Sequence, residues 1–391
     1  MIRAAFSALA LVALSSAAVA AEPPAMPPPT VEQVRAAVHD DRGKSGAPAV
    51  AALVYKNGRT FTWAEGVRAA GSAVAVTAGD KWLIGSCGKA MTALMIARLV
   101  EAGKLTFETR LLDVFPELRT GAKPGWSEVT VRQLLSHTAG IEEPDTLDKF
   151  AGPRAEPFSL AERRALLIKQ AVAQPLAHPP GTSWSYSNSG VVFAAAMAER
   201  VTGLTYEQLL RREVFEPLGM TSAGFGAPAD GGALDQPLGH GVAADGKTRV
   251  PIDARLEHQF DPPAVTPAGD IHVSLPDWLK FAQVVMAATQ GRDRPGYIKA
   301  STVLDLLTMP ANSQNYAGGW LVRMKDGKVQ VLNHNGSDDY WIADIRIYPQ
   351  HDAVVLVATN DAIALGDEPT LELSSRLADL VRPAPPPKPT G

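Results

Sequence analysis

Cysteine is almost missing from this chain. Cys87 is the only one in 391 residues, so no internal disulfide can staple the fold. Basic runs are missing too. Lysine and arginine number 37 against 41 acidic residues, and the formal charge is −4. With no basic stripe, nucleic acid and anionic membrane surfaces are poor partners. Long apolar runs are missing beyond the first residues. Ala4 to Leu14 is apolar apart from Ser7 but too short to span a bilayer, and no later stretch is apolar enough to do so. The eight histidines form no H-x-H or H-E-x-x-H pair, which argues against a metal site or a metal hydrolase. No cofactor is called for.

What is present at the N-terminus is a targeting segment. Arg3 gives a positive start, the apolar run follows, and Ala18-Val19-Ala20 is a small-residue cleavage signal. Residues 1–20 therefore read as a signal peptide and 21–30 as a Pro-rich leader. Residues 383–391 read as a disordered, proline-rich tail. The mature protein is expected to be exported, periplasmic or secreted, without a membrane span. Apolar residues at 46% and charged residues at 20% are the proportions of a packed globular chain. Its oligomeric state is not legible.

Between those ends the pattern changes twice. Val31 to Asp41 has helical spacing, with Thr30 as N-cap. Ala49 to Tyr55 and Thr60 to Gly66 flank Asn57-Gly58, a strong hairpin signal, and Lys81 to Ile84 is a further short strand. Helical spacing then dominates: Ala90 to Glu101, Val129 to Leu135, Leu160 to Ala173, Val191 to Val201, Tyr206 to Val214 and Asp277 to Ala288. Strand patterns return at Trp320 to Met324, Val329 to Asn333, Trp341 to Tyr348 and Ala353 to Thr359. Leu371 to Val381 reads as a closing helix. The compact solution is α+β: an antiparallel β-sheet formed from both ends of the chain, covered by helices, with a mostly helical inserted lobe over about residues 90–265. The boundary between sheet and lobe is a natural cleft.

Three short motifs fall on that boundary. Ser86-Cys87-Gly88-Lys89 is S-x-x-K, which puts a hydroxyl and an amine on one helical face. A serine hydroxyl is a poor nucleophile without a base in reach, and Lys89 can be that base. Tyr186-Ser187-Asn188 is Y-x-N, a phenol able to move a proton and a side-chain amide able to donate and accept toward an amide in the substrate. His334-Asn335-Gly336 is H-x-G, read at a strand edge, where Gly336 admits a close backbone and His334 adds a donor or partial charge. Each has a bland reading alone: a helix start, a polar turn, a β-bulge. S-x-x-K occurs about once by chance in a chain this long. Cys87 beside Ser86 raises a thiol mechanism. One helical step of about 100° turns it off the Ser86 face, and it reads as a small buried hydrophobe.

Together, in this order, the motifs make the chain resemble the serine β-lactamase and penicillin-binding superfamily, in particular its class C β-lactamase-like branch. Longer strings carry the resemblance further: Ala97-Arg98-Leu99-Val100-Glu101-Ala102-Gly103-Lys104-Leu105, Val131-Arg132-Gln133-Leu134-Leu135-Ser136-His137-Thr138-Ala139-Gly140, Phe215-Glu216-Pro217-Leu218-Gly219-Met220 and Pro267-Ala268-Gly269. It covers residues 31–382. The resemblance implies a covalent acyl-enzyme on Ser86, proton work by Lys89 and Tyr186, and a substrate amide oriented by Asn188. His334 and Gly336 line the opposite wall, backbone N–H groups of Ser86 and Ser337 form an oxyanion hole, and His137 is structural. The substrate is a small molecule or peptide: an ester, a D-amino-acid-containing amide or a β-lactam. The alternative is a penicillin-binding sensor or peptidoglycan-peptide binder with little turnover. The chain departs from the β-lactamase pattern where His334-Asn335-Gly336 stands for Lys-Thr-Gly. That replaces a carboxylate-recognising cation with a titratable ring and weakens the forecast of β-lactam hydrolysis. Asn335 and Asp270 are further departures without an assigned role.

Overall fold

The computed structural model describes residues 26–142, 158–229, 234–253, 263–338, 340–361 and 369–382. The signal peptide read over 1–20 and the tail read over 383–391 lie outside the described residues. Helix α1 (Val31–Ser45) starts from a capping box in which the Thr30 hydroxyl accepts from Gln33 N–H, and it ends at Gly46 in the left-handed region. Strands β1 (Ala49–Lys56) and β2 (Arg59–Gly66) form the hairpin read from Asn57-Gly58, both at positive φ (49° and 77°), as a tight primed turn requires. Next come β3 (Lys81–Leu83), α2 (Gly88–Glu101), α3 (Leu160–Val172) and α4 (Asn188–Thr202). The short strands β4 (Gly224–Phe225), β5 (His240–Val242), β6 (Arg249–Pro251) and β7 (Ile271–Ser274) lead to α5 (Leu275–Thr289). The C-terminal strands β8 (Tyr316–Ala317), β9 (Trp320–Lys325), β10 (Lys328–Ser337), β11 (Ile342–Tyr348) and β12 (Ala353–Thr359) precede α6 (Pro369–Asp379).

Both ends of the chain build one seven-stranded sheet in the order β2-β1-β12-β11-β10-β9-β8, antiparallel throughout. Its central strands are apolar on both faces because both faces are covered. Ala49, Ala51 and Leu53 of β1 join Leu356 and Ala358 of β12 in the core shared with α2 and α5. The alternate residues Val50, Ala52, Val54, Val355 and Val357 pack with α1 and α6. The two-residue period of a strand deals successive side chains to the two cores. α2 is buried almost all round, from Gly88 to Ala97, which makes it the axis of the helical side.

The structure adds to the sequence reading in one place and corrects it in three. The inserted lobe is mostly helical but also carries strands, with β4 joining β3 and β7 in a small sheet and β5 pairing β6. The helix expected from Val129 starts at Val131, because Thr130 and Gln133 form a capping box there. The helix read as Tyr206 to Val214 stays α-helical only over Tyr206–Leu210 and loosens into a π-turn at Arg211–Phe215. Pro217 has no N–H to give the Glu213 carbonyl four residues back, and the Tyr297 hydroxyl donates to that carbonyl at 2.8 Å instead. Finally, β10 runs past Asn333 to Ser337, so His334, Asn335 and Gly336 lie within a paired strand rather than at its edge. The ladder with β11 continues from Leu332↔Ile347 to Ser337↔Ile342.

Candidate active site

The nucleophile candidate sits on a tight 3₁₀ turn, Gly85–Cys87, between β3 and α2. Gly85 has φ +49°, and a Cβ there would lie 2.5 Å from Ser337 N. A Cβ on Gly336 would lie 2.1 Å from Ile84 O and 2.7 Å from Ser86 N. Two backbones are therefore in direct contact, and two glycines make that contact possible. The close neighbour that Gly336 admits is the turn carrying Ser86. This contact also brings the amide nitrogens of Ser86 and Ser337 to the two sides of one junction.

Lys89 lies on the first turn of α2 and is 1% exposed. Its Nζ is 2.8 Å from Ser86 Oγ and donates to the Ala268 carbonyl at 2.5 Å. That carbonyl ends the turn Pro263–Ala268, which is tied down on its far side. Thr92 Oγ1 donates to Pro267 O at 2.8 Å, and the buried Arg164 Nε donates to Ala264 O at 2.9 Å. Arg164 is itself held by Glu199 (2.7 Å) and Glu207 (2.6 Å). Asp270 is buried and accepts from Thr266 Oγ1 at 3.2 Å within this same support.

Tyr186 belongs to the irregular segment 183–187, and Lys89 Nζ is 5.0 Å from its ring centroid. The segment is fastened by His137. Ser185 N–H donates to His137 O (2.9 Å), Ser187 N–H donates to His137 Nδ1 (3.2 Å), and the two rings stand 4.4 Å apart. His137 adopts φ +59° to do this, a conformation an L-residue holds only when its surroundings impose it. Burial, then the nearby Lys89 charge, hold its imidazole well below the usual histidine range. Ser187 caps α4, accepting from Gly190 N–H at 3.1 Å, and Asn188 is the first, part-exposed residue of that helix.

On the opposite wall His334 is 4% exposed, and its ring centroid is 6.4 Å from that of Tyr186. Burial and then Lys89 push its ring down to about 4, so it is neutral in ordinary buffers. Asn335, the next residue of the strand, is exposed. Ser337 ends β10, with its Oγ buried and without a hydrogen-bond partner among the described residues. Cys87 is 1% exposed, its Sγ directed at His334 O (3.3 Å), and burial pushes its thiol well above the usual value. The thiol lies behind the site and is no nucleophile. Sequence reasoning missed Tyr316, whose hydroxyl meets His334 Nε2 at 2.9 Å and whose ring is 4.5 Å from that of His137. No motif spacing points to it; the two-residue strand β8 brings it in.

Among the described residues no group of three or more histidine, cysteine or acidic side chains is placed to hold a metal ion. A buried amine hydrogen-bonded to a serine hydroxyl, with a phenol ring against that amine, is equipped to exchange a proton with the serine as a nucleophile. An antiparallel sheet with a helical lobe at its edge and this trio between them defines a serine hydrolase. Comparison with known proteins agrees. The chain belongs to the β-lactamase family, whose model matches residues 34–379. It is 26% identical over 362 residues to penicillin-binding protein 4 of Amycolatopsis lactamdurans, covering 89% of this chain and 91% of that one. It is 25% identical over 327 residues to the unguisins hydrolase ungD of Aspergillus violaceofuscus, covering 77% of this chain but 56% of that one. In fold it is similar to the octameric penicillin-binding protein homologue from Pyrococcus abyssi, with a TM-score of 0.72 at 21% identity, covering 90% of this chain and 78% of that one.

Proposed function

We propose that residues 31–382 form an exported serine hydrolase that works through a covalent acyl-enzyme on Ser86. Ser86 Oγ attacks the carbonyl of an ester, a D-amino-acid-containing amide or a β-lactam. Its proton passes to the Lys89–Tyr186 pair, which returns a proton to the departing alcohol or amine. Water then attacks the acyl group and Ser86 regains its hydrogen. The backbone N–H groups of Ser86 and Ser337 hold the developing oxyanion, a donor pair of the kind worth about 10²–10³ in rate per donor. Asn188, with His334, Gly336 and Ser337, forms the binding walls. The observation that carries this reading is the 2.8 Å approach of a fully buried Lys89 to Ser86.

Similarity to a penicillin-binding protein supports a second reading, a binder that is acylated and turns over slowly. Ser86→Ala should abolish labelling by a fluorophosphonate or penicillin probe while the protein stays folded; full labelling of that variant overturns the assignment. Turnover of p-nitrophenyl esters, D-amino peptides and a chromogenic cephalosporin then separates hydrolase from binder. Export is checked by the N-terminus of the protein recovered from the medium or periplasm, expected just after Ala20.

A further inference from the structure

Tyr316 belongs to none of the motifs, yet it completes a hydrogen-bonded chain on one of them. His334 Nδ1 abuts the carbonyl oxygen of Asn335, and Nε2 abuts the Tyr316 hydroxyl at 2.9 Å. A carbonyl oxygen only accepts, so Nδ1 carries the proton. In a ring with one proton Nε2 then accepts, and Tyr316 donates. Burial keeps the Tyr316 phenol protonated, with its ionisation pushed well above the usual range. Both ring nitrogens are thus engaged inside the protein, and His334 is 4% exposed. The titratable groups around the ring are Lys89 from α2, Tyr186 from the 183–187 segment at 6.4 Å between ring centroids, Tyr316 from β8 at 5.6 Å, His137, whose buried ring stands 4.5 Å from that of Tyr316 and is also held below the usual range, and the buried thiol of Cys87 at the His334 carbonyl. Lys89, the charged one, repels an imidazolium. Asn335, the exposed neighbour on the strand, is neutral. His334 and Asn335 therefore put no cation on this wall for a substrate carboxylate to meet.

We propose that Tyr316 is a positioning residue that fixes His334 as a neutral Nδ1–H imidazole, so that the cleft selects neutral acyl substrates over otherwise identical ones bearing a carboxylate. The inference rests on acyl-enzyme formation at Ser86 and specifies its substrate class.

A matched pair tests it: p-nitrophenyl methyl adipate, which is neutral, and p-nitrophenyl hydrogen adipate, which is anionic. Wild-type kcat/KM should favour the neutral ester by about 10-fold or more, the scale of a polar group left without a partner. That ratio should stay flat from about pH 8 to about pH 5.5. In Tyr316→Phe, Nε2 loses the donor that favours the neutral ring, while burial and Lys89 still oppose an imidazolium, so its proton affinity rises without reaching the ordinary histidine value. KM for the anionic ester should then begin to fall, relative to the neutral one, only at the acid end of the range, and His334→Gln in the same background should remove the trend. Imidazole ¹⁵N spectra give an independent readout, with the His334 signal identified by its loss in His334→Gln. It should remain a neutral Nδ1–H ring across this range in the wild type and begin to take up a proton at its acid end in Tyr316→Phe. Equal kcat/KM for the two esters, a doubly protonated wild-type His334 near neutral pH, or a Tyr316→Phe ratio and spectrum like wild type each overturn the proposal. If Tyr316→Phe does not fold, the wild-type ratio and spectrum decide alone. Should these fail while Ser86 is still labelled by a fluorophosphonate, only this inference falls. Hydrolysis surviving Ser86→Ala removes the underlying reading instead.

Discussion

Gly336 has no Cβ, and the atom it lacks would press on Ile84 O at 2.1 Å and Ser86 N at 2.7 Å. Both contacts are backbone, so nothing flexible can move aside. Gly336→Ala is expected to displace the nucleophile turn, abolish probe labelling at Ser86, and lower the stability read from denaturant midpoints by at least about 1–3 kcal/mol, the usual scale of overpacking. Retained labelling would show that the two backbones are not in contact. Lys89 acts at the same scale through its charge and reach. Lys89→Ala should slow acylation by about 10² or more, the ordinary scale of losing a general base, with burst kinetics on a p-nitrophenyl ester as the measurement. A smaller loss would shift the proton work to Tyr186. Neither residue's surroundings were legible from its motif. S-x-x-K announces the pairing of Ser86 with Lys89, because three residues make one helical turn. It says nothing of Ala268 O or the Tyr186 ring, which come from distant parts of the chain.

At the scale of elements, helix starts position the chemistry. Ser187 caps α4 one residue after Tyr186, so the cap that begins the helix also fixes the segment presenting the phenol. Ser187→Ala should cost about 1 kcal/mol of stability, as N-cap loss usually does, and should lower turnover of an ester by more than that stability loss explains. Thermal melts beside kcat on the folded enzyme separate the two; unchanged kcat would leave Ser187 a structural cap alone. Elements were the most legible level of the sequence. The N-cap at Thr30, Asn57-Gly58 and the apolar periods mark local preferences that tertiary packing did not override. One boundary was misread for a local reason, the capping box of Thr130 with Gln133, and others where a distant group intervened. Tyr297 satisfies the carbonyl that Pro217 leaves open and so stabilises the π-turn. The Ile84–Cys87 turn packs on Gly336 and lets β10 continue.

The whole molecule is held at neutral pH partly by buried uncharged imidazoles. Burial lowers the affinity of His137, His240 and His334 for protons, His334 to about 4. Between roughly pH 6.5 and 4 the unfolded chain binds protons at these sites that the folded one refuses. Stability is therefore full above the unfolded value and is lost as pH falls through this window, by about 1.4 kcal/mol per pH unit for each net proton. His351, also lowered by burial, adds to this loss, while Asp41, raised to about 6 by burial, and Glu199 and Asp344, also raised by burial, work the other way and offset part of it. Urea midpoints should fall from pH 7 to pH 5, and His334→Gln should flatten that slope; a slope unchanged by the variant would show that His334 is not buried neutral.

The sequence alone determined the part list and the local order: a serine and a lysine one turn apart, a phenol in a polar loop, strands at both ends of the chain and helices between. These follow from contacts between near neighbours, which composition and period record directly. The tertiary structure decided which surface each part faces. It put Cys87 behind the site, set Gly336 against the nucleophile turn, brought in Tyr316, and sealed His334 as a neutral ring beside Lys89. Such outcomes depend on pairing between β10, β11 and β8 and on burial by the helical lobe. They are properties of residues far apart in the chain, and no short motif encodes them.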